Sequence, residues 1–169
     1  NYHVENESQK RALAVVNDYI NEFASNRSRS LIITGGVGTG KTHLAAAIIR
    51  KLYANGYRSR YTTIGNMFAE VRATFNNGNS WENEDTVLEK YLHVSLLVID
   101  EAGMGDLSKF EDGFLYRVIN GRYENERATV VISNQHINDL AKSLGDRVVD
   151  RLREDGGKLI NMQHQSYRR

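Results

Sequence analysis

The chain has 169 residues, of which 40% are hydrophobic and 25% charged, a composition typical of one globular domain. It contains no cysteine, which excludes disulfide bonds, thiolate metal sites and cysteine nucleophiles and fits a cytoplasmic protein. No apolar run approaches the roughly 20 residues of a membrane-spanning helix. The net charge is only +1, but residues 23–69 carry seven basic side chains and no acidic one. This asymmetry favours a polyanionic ligand, unless it simply reflects strands and glycine loops that hold few acids.

Hydrophobic periodicity predicts helices that alternate with short strands, starting with an amphipathic helix over residues 6–24. Several strands are apolar on both faces, so we predict an α/β fold with a parallel sheet covered by helices on both sides. Residues 1–169 then form a single domain whose ligands bind at the carboxyl ends of the strands. The predicted strands are 31–34, 58–64, 94–100, 128–133 and 158–162, and the further helices are 41–54, 66–75, 82–92, 110–125 and one or two over 136–154.

Residues 35–42, GGVGTGKT, match the phosphate-binding pattern G-x-x-x-x-G-K-[ST]. Its glycines let backbone N–H groups turn toward phosphate oxygens, Lys41 reaches the β and γ phosphates, and the Thr42 hydroxyl suits Mg²⁺. The strand before and the helix after are the context that this pattern needs, so it predicts ATP and Mg²⁺ as ligands. The expected nucleotide-binding residues are Gly35, Gly36, Val37, Gly38, Thr39, Gly40, Lys41, Thr42 and His43.

Polar residues end two of the later strands. Asp100 closes an apolar strand where a carboxylate for Mg²⁺ is needed, and Glu101 follows it in position to activate a water molecule. That pairing favours hydrolysis over phosphate transfer to a small acceptor. The next strand ends in Ser133 and Asn134, whose amide could hold the attacking water or merely cap a helix.

Arg147 and Arg151 lie four residues apart, on one face of a predicted helix. Neighbouring carboxylates could pair with both arginines on a solvated surface. The alternative is an arginine that reaches the nucleotide of a neighbouring subunit.

These motifs in this order resemble the AAA+ ATPases, and among them the DnaC/DnaI-type replicative helicase loaders and the related IstB transposition ATPases. The resemblance covers nearly the whole chain and depends on residues 36–48, 96–103, 133–134, 144–152 and 166–168. It implies a P-loop AAA+ core. Only 18 residues follow Arg151, so the helical lid of most AAA+ proteins is expected to be missing or minimal.

The resemblance also assigns roles by position. It implies Walker A at Lys41 and Thr42, Walker B at Asp100 and Glu101, sensor 1 at Asn134, the arginine finger at Arg151 with Arg147 as its neighbour, and sensor 2 at Arg168.

Residues 65–92 resemble the helical insertion of loaders and initiators, and this resemblance implies that the segment binds DNA. Arg72 and Phe75 share a helix face, where a cation and an aromatic ring suit single-stranded DNA. Phe75 could equally be core, because Met67, Val71 and Phe75 form an apolar stripe. The resemblance also implies that Ser108 and Phe110 face the bound DNA strand, as the matching positions do in similar loaders.

We therefore expect the ATPase domain of a helicase loader, with single-stranded DNA, a hexameric helicase and further copies of the chain as partners. Because the chain begins at Asn1, we expect a fragment that lacks the N-terminal helicase-binding region. Three alternatives remain: an IstB-like transposition ATPase acting on duplex DNA, a small-molecule kinase, and a nucleotide-switched binding module that does not hydrolyse ATP.

Overall fold

The computed structural model describes residues 7–27, 29–76, 81 and 83–162. Its five strands are β1 (Leu31–Gly35), β2 (Ser59–Thr63), β3 (Leu96–Asp100), β4 (Ala128–Ser133) and β5 (Lys158–Met162). They form one sheet in the order β2-β3-β4-β1-β5, and each neighbouring pair is parallel. All five carboxyl ends therefore lie at the same edge, as the sequence predicts.

Helices cover both faces of the sheet. They are α1 (Glu7–Glu22), α2 (Lys41–Ala54), α3 (Ile64–Ala73), α4 (Glu84–Leu92), α5 (Lys109–Glu124), α6 (Ile137–Leu144) and α7 (Asp146–Arg153), with 3₁₀ turns at Thr74–Asn76 and Glu154–Gly156. Successive strand residues point to opposite faces, so Leu31 and Ile33 pack with α1 and α2, whereas Ile32 packs in the cluster formed by α3 to α7. The predicted α/β architecture is confirmed.

The helix boundaries differ from the predicted ones by at most two residues, and 136–154 contains two of the one or two helices expected there. The helix predicted over 66–75 begins at Ile64, because the Thr63 side chain accepts a hydrogen bond from the Asn66 N–H at 3.2 Å and caps it. The region 136–154 contains two helices, separated at Gly145, whose φ of 83° is left-handed. Among the described residues, no helix combines the length and apolar character needed to cross a bilayer.

A buried arginine stabilises the amino edge of the sheet, which is the edge at which the strands begin. Arg122, on α5, has no exposed surface, and burial lowers its pKa to about 9, so it stays charged at neutral pH. Its guanidinium donates to a neutral hydroxyl and to main-chain carbonyls from the segments that lead into β3 and β4. The acceptors are Thr129 Oγ1 and the carbonyl oxygens of Tyr91, Leu92, Val94, Ser95 and Ala128.

A polar network joins α3 to β2 and α4. Glu70 accepts hydrogen bonds from Arg60 at 2.8 Å and from the Tyr91 hydroxyl at 2.5 Å. Burial alone would raise the pKa of Glu70, but the hydrogen bonds from Tyr91 and Arg60 outweigh it and hold that pKa below its ordinary value. The carboxylate is therefore more stable in the folded chain than in water.

Candidate nucleotide site

The loop between β1 and α2 is shaped by glycine and threonine. Gly35 has a φ of 149°, and a Cβ there would lie 2.6 Å from the Met162 carbonyl oxygen of β5. Gly40 caps α2 with a φ of 93° and supplies no side-chain acceptor for the first N–H groups of the helix. The buried Thr39 hydroxyl donates to the Gly36 carbonyl at 2.9 Å and fixes the turn. This loop can receive an anion at the N-terminus of α2.

The other loop residues predicted to bind nucleotide also lie here. Gly38 adopts a φ of 77°, while Val37 is 61% exposed at the outer side of the loop. His43 is exposed in the first turn of α2.

Lys41 is held inside this loop. Only 6% of the residue is exposed, and its ammonium donates to the carbonyl oxygens of Gly35 and Gly36 at 2.7 Å each. Burial lowers the pKa of Lys41, and the nearby Asp100 charge opposes that shift. The cation is thus poised beside the loop, where phosphate oxygens would be stronger acceptors than the two carbonyls.

Asp100 and Thr42 meet directly, as the predicted magnesium site requires. The Thr42 hydroxyl donates to Asp100 Oδ2 at 2.8 Å, and Asp100 is 6% exposed at the end of β3. Among the described residues, no group of three or more His, Asp or Glu side chains could hold a metal. One carboxylate and one hydroxyl beside a phosphate loop fit Mg²⁺, which keeps several waters and takes phosphate oxygens as ligands.

A tyrosine whose sequence context predicts only a strand also reaches this carboxylate. The Tyr61 hydroxyl donates to Asp100 Oδ2 at 2.7 Å. Burial, followed by the hydrogen bond to Asp100, raises the pKa of Tyr61, so the phenol keeps its proton.

Glu101 leaves the strand in a strained conformation. Its φ of 59° is left-handed, its side chain is exposed, and its N–H donates to Asp100 Oδ1 at 2.7 Å. The turn that follows is tied to β4, because Ser133 Oγ donates to the Ala102 carbonyl at 2.7 Å. Glu101 and the exposed Asn134 consequently stand at the ends of neighbouring strands.

Gln135 strengthens the same connection and was missed from the sequence. Its side-chain amide donates to the Gly103 carbonyl at 2.5 Å and accepts from the Ser143 hydroxyl of α6. A glutamine in a polar loop gives no sequence signal for this role, because the fold brings its partners in from the turn after β3 and from α6.

Arg151 lies at the opposite edge of the sheet from the phosphate loop. It donates to Glu154 at 2.8 Å and to Asn120 at 3.2 Å, and its guanidinium stands 4.8 Å from the Tyr123 ring centre. Asn120 and Tyr123 lie in the C-terminal half of α5. Arg122, between them, donates to the carbonyls that lead into β3 and β4, so this part of α5 lies at the amino ends of the strands. Arg151 is thus not part of the nucleotide site of its own chain, and Arg147 is exposed on the same helix.

The residues predicted to contact DNA form one surface, which we call the α3–α5 face: Arg72, Phe75, Ser108 and Phe110. Phe75 is 58% exposed, so it is not a core residue, whereas Met67 and Val71 are fully buried. Its ring packs edge-to-face on Phe110, with the ring centres 4.9 Å apart.

Glu111 engages two of these residues. Arg72 donates to its carboxylate, and Ser108 forms a reciprocal capping box with it at the start of α5. The remaining predicted site residue, Arg168, lies outside the described residues.

Comparison with known proteins gives four consistent matches. The family model of the IstB-like ATP binding protein matches residues 2–169. The "Replicative helicase loader DnaC" of Escherichia coli K12 is 35% identical over 168 residues, which is 99% of this chain and 67% of that protein. The protein of the same name from Buchnera aphidicola subsp. Baizongia pistaciae is 34% identical over 100% of this chain and 68% of its own length. A crystal structure of the DnaC helicase loader superposes with a TM-score of 0.84 and 27% identity, over 96% of this chain and 94% of that one.

Proposed function

Since the chain belongs to the family of IstB-like ATP binding proteins, we propose that it is the ATPase domain of a replicative helicase loader, working in the cytoplasm. The observation that carries this proposal is the meeting of Lys41, Thr42 and Asp100 at the carboxyl edge of the sheet. ATP binding follows from the family, and the loader role from relatives that match along the full chain.

The loop geometry supports a distinct role for each site residue in ATP hydrolysis. Phosphates bind the backbone of the loop and the N-terminus of α2, and the Lys41 ammonium leaves its two carbonyl partners for them. Mg²⁺, held by Thr42 and Asp100, would supply positive charge at the phosphates. Glu101 takes the proton of the attacking water, and Asn134 orients that water.

Arg151 completes the site of a second chain. Its place at the amino edge excludes it from its own nucleotide but leaves 34% of its side chain exposed for a neighbour. The ion pair with Glu154 then has to open. Solvent screens an exposed ion pair of this kind, so a nucleotide phosphate can replace Glu154. Isolated monomers are therefore expected to hydrolyse ATP slowly.

Complementation between two inactive variants tests the shared site. Lys41→Ala removes the phosphate contact, and Arg151→Ala removes the cation offered to a neighbour. Each variant alone should lose ATPase activity, and an equal mixture should regain part of it. No recovery from the mixture, or full activity of the Arg151 variant, would refute a shared site.

The α3–α5 face supplies the single-stranded DNA site in this proposal. The exposed Phe75 ring, supported by Phe110, stacks on a base, and Arg72 contacts the phosphate backbone. The test is fluorescence anisotropy of a labelled oligonucleotide, single-stranded or duplex, with ATP·Mg²⁺ or ADP. ATP-dependent preference for the single strand supports a loader, with Lys41→Ala as the control that removes this dependence. Preference for duplex DNA would instead favour an IstB-like transposition ATPase.

A further inference from the structure

The hydroxyl of Tyr61 contacts the carboxylate that is proposed to serve Mg²⁺. Tyr61 lies on β2, whose register places Thr63, not Tyr61, beside Asp100. The phenol therefore spans the diagonal from one strand to the next, which requires a side chain of its length. Its hydroxyl arrives 2.7 Å from Asp100 Oδ2.

The acceptor positions of Asp100 are nearly filled by these contacts. Oδ2 accepts from Thr42 at 2.8 Å and from Tyr61 at 2.7 Å, and Oδ1 accepts from the Glu101 N–H at 2.7 Å. An ionised carboxylate offers about four acceptor positions, so one remains on Oδ1. The three donors come from α2, β2 and the turn after β3, and together they fix the carboxylate in one orientation.

Tyr61 has little role in the core. It is 46% exposed and borders a surface pocket of about 520 Å³ with Thr42, Ile49 and Tyr53. The core clusters on both sides of the sheet do not include it. Its hydroxyl is the part of the side chain that makes a directed contact, and that contact is made to the nucleotide site.

We propose that Tyr61 is a positioning residue that sets the Mg²⁺ affinity of the nucleotide-bound site. Its hydroxyl holds the Asp100 carboxylate against the Thr42 hydroxyl. The inference rests on the proposed binding of ATP·Mg²⁺. Partners that orient metal ligands commonly change metal affinity by about 10- to 100-fold when they are removed. Tyr61 is one of three donors to Asp100, so we expect the lower end of that range.

The test compares Tyr61→Phe with Tyr53→Phe, which removes a hydroxyl from the same pocket without contacting Asp100. Binding of a fluorescent ADP analogue is measured in EDTA and then across a Mg²⁺ titration. In the Tyr61 variant, the Mg²⁺ concentration for half-maximal enhancement of binding should rise about tenfold. Affinity in EDTA and the melting temperature should match the wild type, and Tyr53→Phe should match it throughout.

Four results would overturn the proposal. An unchanged Mg²⁺ requirement in Tyr61→Phe would show that the Tyr61 hydroxyl does not affect Mg²⁺ binding. A lower requirement would show that this hydroxyl competes with the metal. If Tyr61→Phe lost as much affinity for the ADP analogue in EDTA as in Mg²⁺, Tyr61 would act on the nucleotide rather than on Asp100. Failure of the wild type to bind the ADP analogue under any condition would refute the proposed function itself, and this inference with it.

Discussion

Replacing Glu111 by glutamine should strengthen binding to single-stranded DNA. In the folded chain the Glu111 carboxylate holds Arg72, the cation of the α3–α5 face. Glutamine serves a capping box as well as glutamate does, so the start of α5 should stay intact. The substitution therefore releases Arg72 without removing the helix cap.

The size of the effect follows from the exposure of the pair. The Arg72 side chain is 51% exposed, and ion pairs of this kind contribute about 0.2–1 kcal/mol. DNA binding no longer has to break that interaction, so affinity should rise about 1.4- to 5-fold. If Arg72 gains one full phosphate contact, the slope of log affinity against log salt should steepen by about 0.7.

Anisotropy titrations at several salt concentrations would measure both quantities. Glu124→Gln is the matched control, because it removes the same charge from the far end of α5, where Glu124 accepts from Asn120. Adding Arg72→Ala to the Glu111 variant should abolish the gain. A gain that survives in the double variant, or one equalled by Glu124→Gln, would mean that net charge and not the release of Arg72 is responsible.

Three further predictions concern the fold. Arg122→Met should leave buried carbonyls unpaired, cost about 3 kcal/mol or more, and lower the melting temperature by about 6–12 °C. Glu70→Gln should lower the melting temperature at pH 7. The difference in melting temperature between the variant and the wild type should close as the pH falls below 4.5, the ordinary pKa of glutamate. The depressed pKa of Glu70 stabilises the fold only while the side chain is ionised. Gly35→Ala should weaken ADP binding and lower the melting temperature through its collision with β5, whereas Gly65→Ala, which meets nothing within 4 Å, should do neither.

The strands and helices were largely predictable because hydrophobic periodicity and glycine signals agree along the chain. The helix over 41–54 and the strands over 128–133 and 158–162 have the predicted bounds. The start of α3 was misplaced because Thr63 belongs to a β-rich run and also caps the helix. A single residue with both roles gives no local sign of where the strand ends.

The phosphate-loop residues were predictable from their spacing, but their supporting contacts were not. Tyr61 and Gln135 act through partners that lie far away in sequence, and only the strand register brings them together. Arg122 belongs to a helix with many charged residues, so nothing in its local sequence distinguishes it from a solvated arginine. Its burial depends on the carbonyl groups that the fold collects around it.

The role proposed for Arg151 would constrain how copies of this chain assemble. If sites are shared as proposed, a chain that offers its nucleotide at one edge of the sheet and Arg151 at the other would join its neighbour head to tail. Such a contact is heterologous, so it generates either a closed ring or an open helical filament. In an open filament the terminal nucleotide site has no arginine from a neighbour. Specific ATPase activity would then increase with filament length, and closure of a ring would activate every site.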